Sequence, residues 1–428
     1  MVNWIDEIVS LHSEFESPLN FWRWAALTAI SAVVKDNVYL AQGMFNLYPN
    51  IYVMFHADSG LKKGPPVSMA KKLVMEVGNT KVISGRSSIQ GILRKLGSSE
   101  SRPGGTIDKG SSAFICSSEL SSSIVEDKAA TDILTDLYDR SYNDKDWGSL
   151  LKSEEFALKA PVVTMLTATN EAHSASFFER KDVAGGFFAR TFIIYENEEN
   201  RSNSLLVPPE RAIDYKLASS YLRDLSKLKG QFQPLGARHE SEFHIYSKIN
   251  PYTHQTEWFT KAGLIYENWY EQFKKDLKHV KDSTGTLNRF GSSVLKVGMI
   301  LSLGESPSLR ITEDSMNRAI EMCQKLIGNA RQVSAGKVDG IPNDVERKKI
   351  LIKELYTREN QSISRAQLLK KYYMHGTIQE WDEVIIAFRE AEFITTEKIN
   401  DTHLMLKMTT VTYEGLKAKF AGKMQRED

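Results

Sequence analysis

Apolar residues recur along this chain in two rhythms, and the changes of rhythm divide it. Residues 4–15 carry Ile5, Ile8, Val9 and Leu11 at helical spacing, which predicts a short amphipathic helix broken by Pro18. Residues 21–34 are alanine-rich and apolar on most faces, which predicts a helix packed inward. At residues 51–55 the pattern becomes the continuous β-branched and aromatic run IYVMF, and a buried strand is expected. Helical patterns at residues 67–77, 87–96 and 131–142 then alternate with apolar strand-like runs at 112–116, 160–169 and 191–195. Gly, Ser and Pro fill residues 98–111, which therefore read as an exposed loop.

Strands separated by helices in this order predict an α/β fold with a largely parallel sheet covered on both faces. The carboxyl ends of such strands gather polar residues at one edge, where open α/β folds bind ligands. A proline pair at residues 208–209 marks a boundary, and residues 215–327 are mostly helical in pattern. Further on, helical patterns are followed by strand-like runs at 393–395 and 403–406, the order of a winged-helix module. Ser364 and Thr377 are placed to cap its helices, with Val384, Ile385, Phe388 and Phe393 as its small core. The expected organisation is a helical preface (1–46), an α/β core (47–206), a mostly helical lid or extension (207–330), a linker (331–345), the winged-helix-like module (346–421) and a tail (422–428).

Composition narrows the class without deciding it. With 41% hydrophobic and 25% charged residues the chain is an ordinary globular protein. The 55 basic and 54 acidic side chains nearly cancel, so the whole chain is not drawn to nucleic acid or membrane by charge; a channel shared by several subunits needs few basic residues. Cys116 and Cys323 stand apart, which suits buried thiols in a reducing compartment, and no Cys/His pattern points to zinc. The acidic start lacks a basic leader, and residues 21–40 include Arg23, Lys35 and Asp36. A cytoplasmic protein with no membrane partner is expected.

Candidate chemistry concentrates after the first strand of the core. In IYVMFHADSGLKKGPPVSMAKKL, a strand, a tight turn and a helix would aim backbone N–H groups and a helix N-terminus at one point, where phosphate is held. Ser59, Gly60, Leu61, Lys62, Lys63 and Gly64 form that turn, with the Lys63 ammonium near the β- and γ-phosphates; a lysine-rich surface turn is the alternative. The pattern departs from GxxxxGK[ST], since Ala57 and Lys62 replace the glycines and Gly64 replaces the magnesium-binding hydroxyl. Glu119 follows the strand SAFIC and would activate water, or else cap the next helix, while Ser118 stands where an aspartate is usual. Asn170, ending the strand that includes Thr167 and Thr169, would position the water or simply form a turn. Arg190, after Gly185 and Gly186, would reach phosphate in a neighbouring subunit or serve as a surface or ion-pair residue.

Taken together, the helical preface, SGxxK turn, strand leading to Glu, strand ending Thr-Asn and GGFxxR segment resemble the primase-helicase-like group of phages, plasmids and mobile elements, also called DUF3987. That group is related to RecA-type and hexameric helicase ATPases. The resemblance spans roughly residues 18–325 and is strongest over 48–195. It implies a RecA/AAA-like P-loop NTPase core using ATP and Mg²⁺, with Lys63 as the Walker lysine, Glu119 as the acidic residue, Asn170 as the polar sensor and Arg190 as an arginine finger. Arg289 and Lys296 match the basic start of a helical lid. A replication-associated DNA helicase or translocase is implied, working as a homo-oligomeric ring, by analogy a hexamer, on single- or double-stranded DNA with other replication proteins. Two further readings stand beside it: a non-catalytic ATP-binding loading adaptor, and a winged-helix DNA-binding regulator. The candidate recognition helix, residues 378–391, carries Glu380, Asp382, Glu383 and Glu390 against Arg389, which favours protein contacts over sequence-specific DNA binding.

Overall fold

A computed structural model of the chain describes residues 3–85, 87–98, 100–102, 105–107, 111–119, 128–139, 146–151, 154–169, 186–201, 215–251, 253–277, 286–333, 344–358, 360–373, 376–400 and 403–424. The chain divides into two compact units. The first is mixed α/β. It begins with helix α1 (Trp4–Leu11), whose Asn3 cap accepts from the Ile5 amide, and α2 (Leu19–Val34), nearly all of it buried. Strands β1 (Val38–Gln42) and β2 (Phe45–Leu47) form a hairpin around Gly43, which takes a left-handed φ of 61°.

Next come β3 (Tyr52–His56), α3 (Gly64–Val77), β4 (Lys81–Ser84), α4 (Ile89–Gly97), the pair β5 (Glu100–Arg102) and β6 (Gly105–Ile107), and β7 (Ser112–Ser117). Helix α5 (Lys128–Asp139), the hairpin β8 (Asp146–Leu151) and β9 (Glu154–Lys159), β10 (Val162–Thr169) and β11 (Thr191–Tyr195) complete the core. Five strands make one parallel sheet in the order β11-β3-β10-β7-β4.

The continuous apolar runs are explained by helices on both faces, which leave every position of β3 and β10 buried. Alternation persists beneath that uniform burial. Tyr52 and Met54 of β3 point into the cluster made by α4 and α5, with Ile92, Leu93, Leu134 and Leu137. Phe55 faces the other way, its ring stacked 4.5 Å from Phe21 of α2. On the same side the Ser31 and Thr164 hydroxyls meet at 2.9 Å, which satisfies these two buried polar groups.

Beyond the sheet lie α6 (Tyr215–Leu225), the short β12 (Gly230–Gln231) and three antiparallel strands, β13 (Gly236–Ala237), β14 (Tyr246–Ile249) and β15 (Thr256–Phe259). The sequence pattern gave no strands in this stretch, because pieces of two to four residues with exposed Ile245 and Ile249 show no period-two burial. Helices α7 (Lys261–Leu277), α8 (Thr286–Glu305) and α9 (Glu313–Val333) close the unit.

The second unit runs α10 (Asp344–Tyr356), β16 (Ser362–Ser364), α11 (Arg365–Lys371), α12 (Ile378–Glu390), β17 (Ile394–Asn400), β18 (His403–Met408) and α13 (Thr410–Met424). Its sheet has three antiparallel strands in the order β16-β18-β17, one more than the expected two-stranded wing, because Ile363 and its neighbours pair with β18. Ser364 and Thr377 each close a capping box, with Gln367 and Glu380. Leu351, Ile363, Trp381, Val384, Phe388 and Leu406 fill the core. Under it, burial opposes ionisation of Glu354, yet hydrogen bonds from Lys371, Tyr372 and Arg358 override that and bring its carboxyl down to about 2.

Candidate functional site

The carboxyl ends of β3, β7 and β10 converge on the turn that the sequence singles out. β3 stops at His56, and eight residues later α3 begins at Gly64. Gly60 takes a φ of 104°, open only to glycine at little cost, and Lys62 also turns left-handed at 46°. The Lys62 amide donates to Gly60 O at 2.7 Å, which tightens the loop. Leu61 is buried and pins the turn from below. The preface holds it from the side: the Ser17 hydroxyl donates to Lys62 O at 2.7 Å, and Glu16 lies 3.6 Å from the Lys62 ammonium. Ser17 escapes sequence reading, since nothing local links it to a turn 45 residues away.

Lys63 curls over this turn and donates to the carbonyls of Ala57 and Asp58, each at 2.7 Å. Burial lowers its ammonium pKa, and the negative charges of Asp58 and Glu119 work against that. Glu119 therefore shares a local field with Lys63, although the two come from different strands. The Ser117 hydroxyl fixes the Glu119 backbone: it donates to Glu119 O at 2.5 Å and accepts from the Glu119 amide at 3.3 Å. Thr169 ends β10 directly between them, level with His56 in register. Residues of the 59–64 turn, with Ser118, Glu119 and Thr169, line a cleft of ≈ 310 Å³.

Two features limit the donors that α3 offers to an anion. Pro65 and Pro66 stand in its first turn and carry no N–H, so the amides of Lys63 and Gly64 remain for a ligand. The helix dipole still favours negative charge there. His56, just below, contributes no cation: burial, aided by the Lys63 charge, pushes its imidazole down to about 4. His56 and Thr169 were not singled out by sequence, though both end strands at the motif, and that position was the available signal.

The other expected site residues part company with this cleft. Asn170 and Gly185 lie outside the described residues. Arg190 precedes β11, at the opposite edge of the sheet, because Thr191 aligns with Tyr52 at the start of β3. It is buried rather than offered outward: Nε donates to Asp139 Oδ2 at 2.9 Å, Nη2 reaches the same oxygen, and Nη1 donates to Gly186 O at 2.9 Å. The exposed-finger expectation is thus corrected, the buried aromatic pair Phe187 and Phe188 having drawn the GGFxxR segment inward. Lys296 is also away from the turn. It sits buried in the middle of α8 and donates to Asn50 O and Oδ1, both at 2.9 Å, at the beginning of β3.

Comparison with protein-family models and with curated proteins returned no match to this chain. Chemically, the cleft offers two ammoniums, that of Lys62 paired with Glu16, one exposed carboxylate, two main-chain amides and several hydroxyls. No cluster of three or more His, Cys, Asp or Glu side chains that would hold a metal occurs among the described residues. The donors suit a magnesium ion carried in by phosphates, which needs only one or two carboxylates from the protein. No helix among the described residues is long and apolar enough to cross a membrane.

Proposed function

We propose that the first unit is a RecA/AAA-like P-loop ATPase core and that the protein is an ATP-dependent DNA helicase or translocase working as an oligomeric ring. The observation that carries the nucleotide part is the cleft itself, where Lys63 and Glu119 face one space from strands separated by β10. One intervening strand spaces their parent strands by about 10 Å, room for a terminal phosphate and a water between ammonium and carboxylate. On nucleotide binding, Lys63 exchanges the carbonyls of Ala57 and Asp58 for phosphate oxygens. Glu119 accepts a proton as water attacks the γ-phosphorus and the bond to the β-phosphate oxygen breaks, giving ADP and phosphate. Magnesium, when bound, neutralises charge on the phosphates.

The ring and the DNA rest on the resemblance to primase-helicase-like proteins and on the order of elements in the second unit, which we read as a winged helix. On α12 the exposed positions include Gln379, Glu383, Ile386 and Glu390, with Asp382 tied to Arg365 at 2.6 Å. That acidic, partly apolar face suits a protein partner better than phosphate. A second reading, an ATP-binding loading adaptor without turnover, is favoured by one observation: Pro65, Pro66, Gly64 and Ser118 together remove amides and side chains that a fast ATPase uses.

The deciding experiment measures ATP hydrolysis with and without single-stranded DNA, beside a mass measurement of oligomeric state. Turnover that DNA stimulates and that Lys63→Ala and Glu119→Gln each suppress is the expected result. Binding with no turnover above the Lys63→Ala level rejects the motor and leaves the adaptor.

A further inference from the structure

The opposite edge of the same sheet contains a second cleft, of ≈ 320 Å³, that the ATPase reading does not use. It lies where the strands begin: Asn50 precedes β3, Asp139 ends α5 and Arg190 precedes β11. At about 3.3 Å per residue along β3, it is on the order of 20 Å from the Lys63 turn.

Its charges do not cancel. Arg190 is matched by Asp139. The buried Lys296 ammonium has only neutral partners, the oxygens of Asn50 and the ring of Tyr138, whose centroid is 3.8 Å away. Arg289 lines the cleft with no ion-pair partner among the described residues. The remaining carboxylate, Asp136, is raised above the usual carboxylate range by burial and by Asp132, with Arg190 working against that. Two basic groups, Arg289 and Lys296, therefore face the space against one carboxylate.

These groups are arranged as a site rather than scattered. Arg289, Ser292, Ser293 and Lys296 share one face of α8, spaced three, four and seven residues apart, in a helix that is otherwise buried from Val294 to Gly304. Burial brings Lys296 down to about 7, so an anion beside it would restore its charge at little cost. At the rim stand two rings, Phe45, 41% exposed on β2, and Tyr48. Convergent cations, hydroxyls and aromatic rings around a half-enclosed space mark a ligand site. Its volume is at the small end of such sites, roughly 300–1,000 Å³, and admits one nucleotide unit.

We propose that this cleft binds a nucleoside phosphate, with Arg289 and Lys296 on the phosphate, Ser292 and Ser293 hydrogen-bonded beside it, and Phe45 and Tyr48 against the base. The unit comes either as a free mononucleotide or as part of a single strand. Both present the same chemistry.

The test is calorimetric titration of the full-length chain carrying Lys63→Ala, which silences the first cleft, with adenosine monophosphate, inorganic phosphate and a short oligothymidylate. Binding of the monophosphate or the oligonucleotide is expected, weakened about tenfold or more when Arg289→Gln is added. Monophosphate binding assigns a free nucleotide, and binding of the oligonucleotide alone assigns a strand. Phe45→Ala, a change at a ring 41% exposed, is expected to weaken both while sparing inorganic phosphate, with the thermal midpoint measured beside it. No binding, binding indifferent to Arg289→Gln, or equal affinity for inorganic phosphate and the monophosphate overturns the assignment. If ATP binding in the parent chain ignores Lys63→Ala, the first cleft fails and this one is untouched.

Discussion

The two ends of the parallel sheet each hold a lysine, and they put it to opposite use. At the carboxyl end Lys63 sits on a turn, partly solvated, held by carbonyls that a phosphate can replace. At the amino end Lys296 is sunk into α8 and fastened to Asn50, the residue that opens β3. The first lysine is held only by main-chain carbonyls and lies in the field of Asp58 and Glu119. The second is anchored because leaving Asn50 would strand a buried amide oxygen, so an anion in its cleft adds to that bond instead of replacing it. Burial lowers the ammonium pKa at both ends, more so for Lys296, so a lowered lysine pKa alone does not distinguish a working group from a structural one.

The contrast breaks most sharply at Lys63. Replacement by Met is expected to lower ATP turnover about 100-fold with the thermal midpoint unchanged, and parallel loss of folding would reduce Lys63 to a structural residue. Lys296 gives the next effect, and it is one of pH. Its folded value of about 7 lies below that of an unfolded lysine, so the unfolded chain binds more protons above pH 7 and stability rises with pH. Between pH 7 and 9 the gain is about 2 kcal/mol, read as a rising melting temperature that Lys296→Met should flatten. A slope that survives the substitution would assign the titration elsewhere.

Arg190→Ala should cost about 1–2 kcal/mol, less than a fully buried pair because the Asp139 side chain is 47% exposed and regains water. Turnover per folded molecule should stay as it was, and mixing with Lys63→Met chains should show no complementation; restored activity in the mixture would bring the trans finger back. Smallest is Ser17→Ala, which removes one hydrogen bond to the turn and should weaken nucleotide binding by about 1 kcal/mol, visible as a rise in KM with kcat preserved.

Local pattern made much of the fold legible. The run 51–55, the strand ending at Thr169 and the caps at Ser364 and Thr377 are each specified by neighbours within a few residues, and the structure has β3, β10, α11 and α12 there. The short strands β13 to β15 were not legible, since their pairing partners are distant and their burial is shallow. Of the candidate site, the 59–64 turn and Glu119 were placed correctly at strand ends by the same local logic. Arg190 was misplaced because GGFxxR says that a loop meets a strand, not which edge of the sheet that meeting occupies.

By itself, then, the sequence determined an α/β core with a lysine-bearing turn after its first strand, because strand, turn and helix are short-range choices of residue type. Only the tertiary structure decided which charges share a space. Strand order brought Glu119 across β10 to Lys63, while the parallel direction of β11 carried Arg190 to the far edge. Long-range packing of α8 against Asn50 made Lys296 a neighbour of Arg190 and not of the Lys63 turn. Such neighbours are set by the order in which distant segments pair, and no spacing along the chain encodes that.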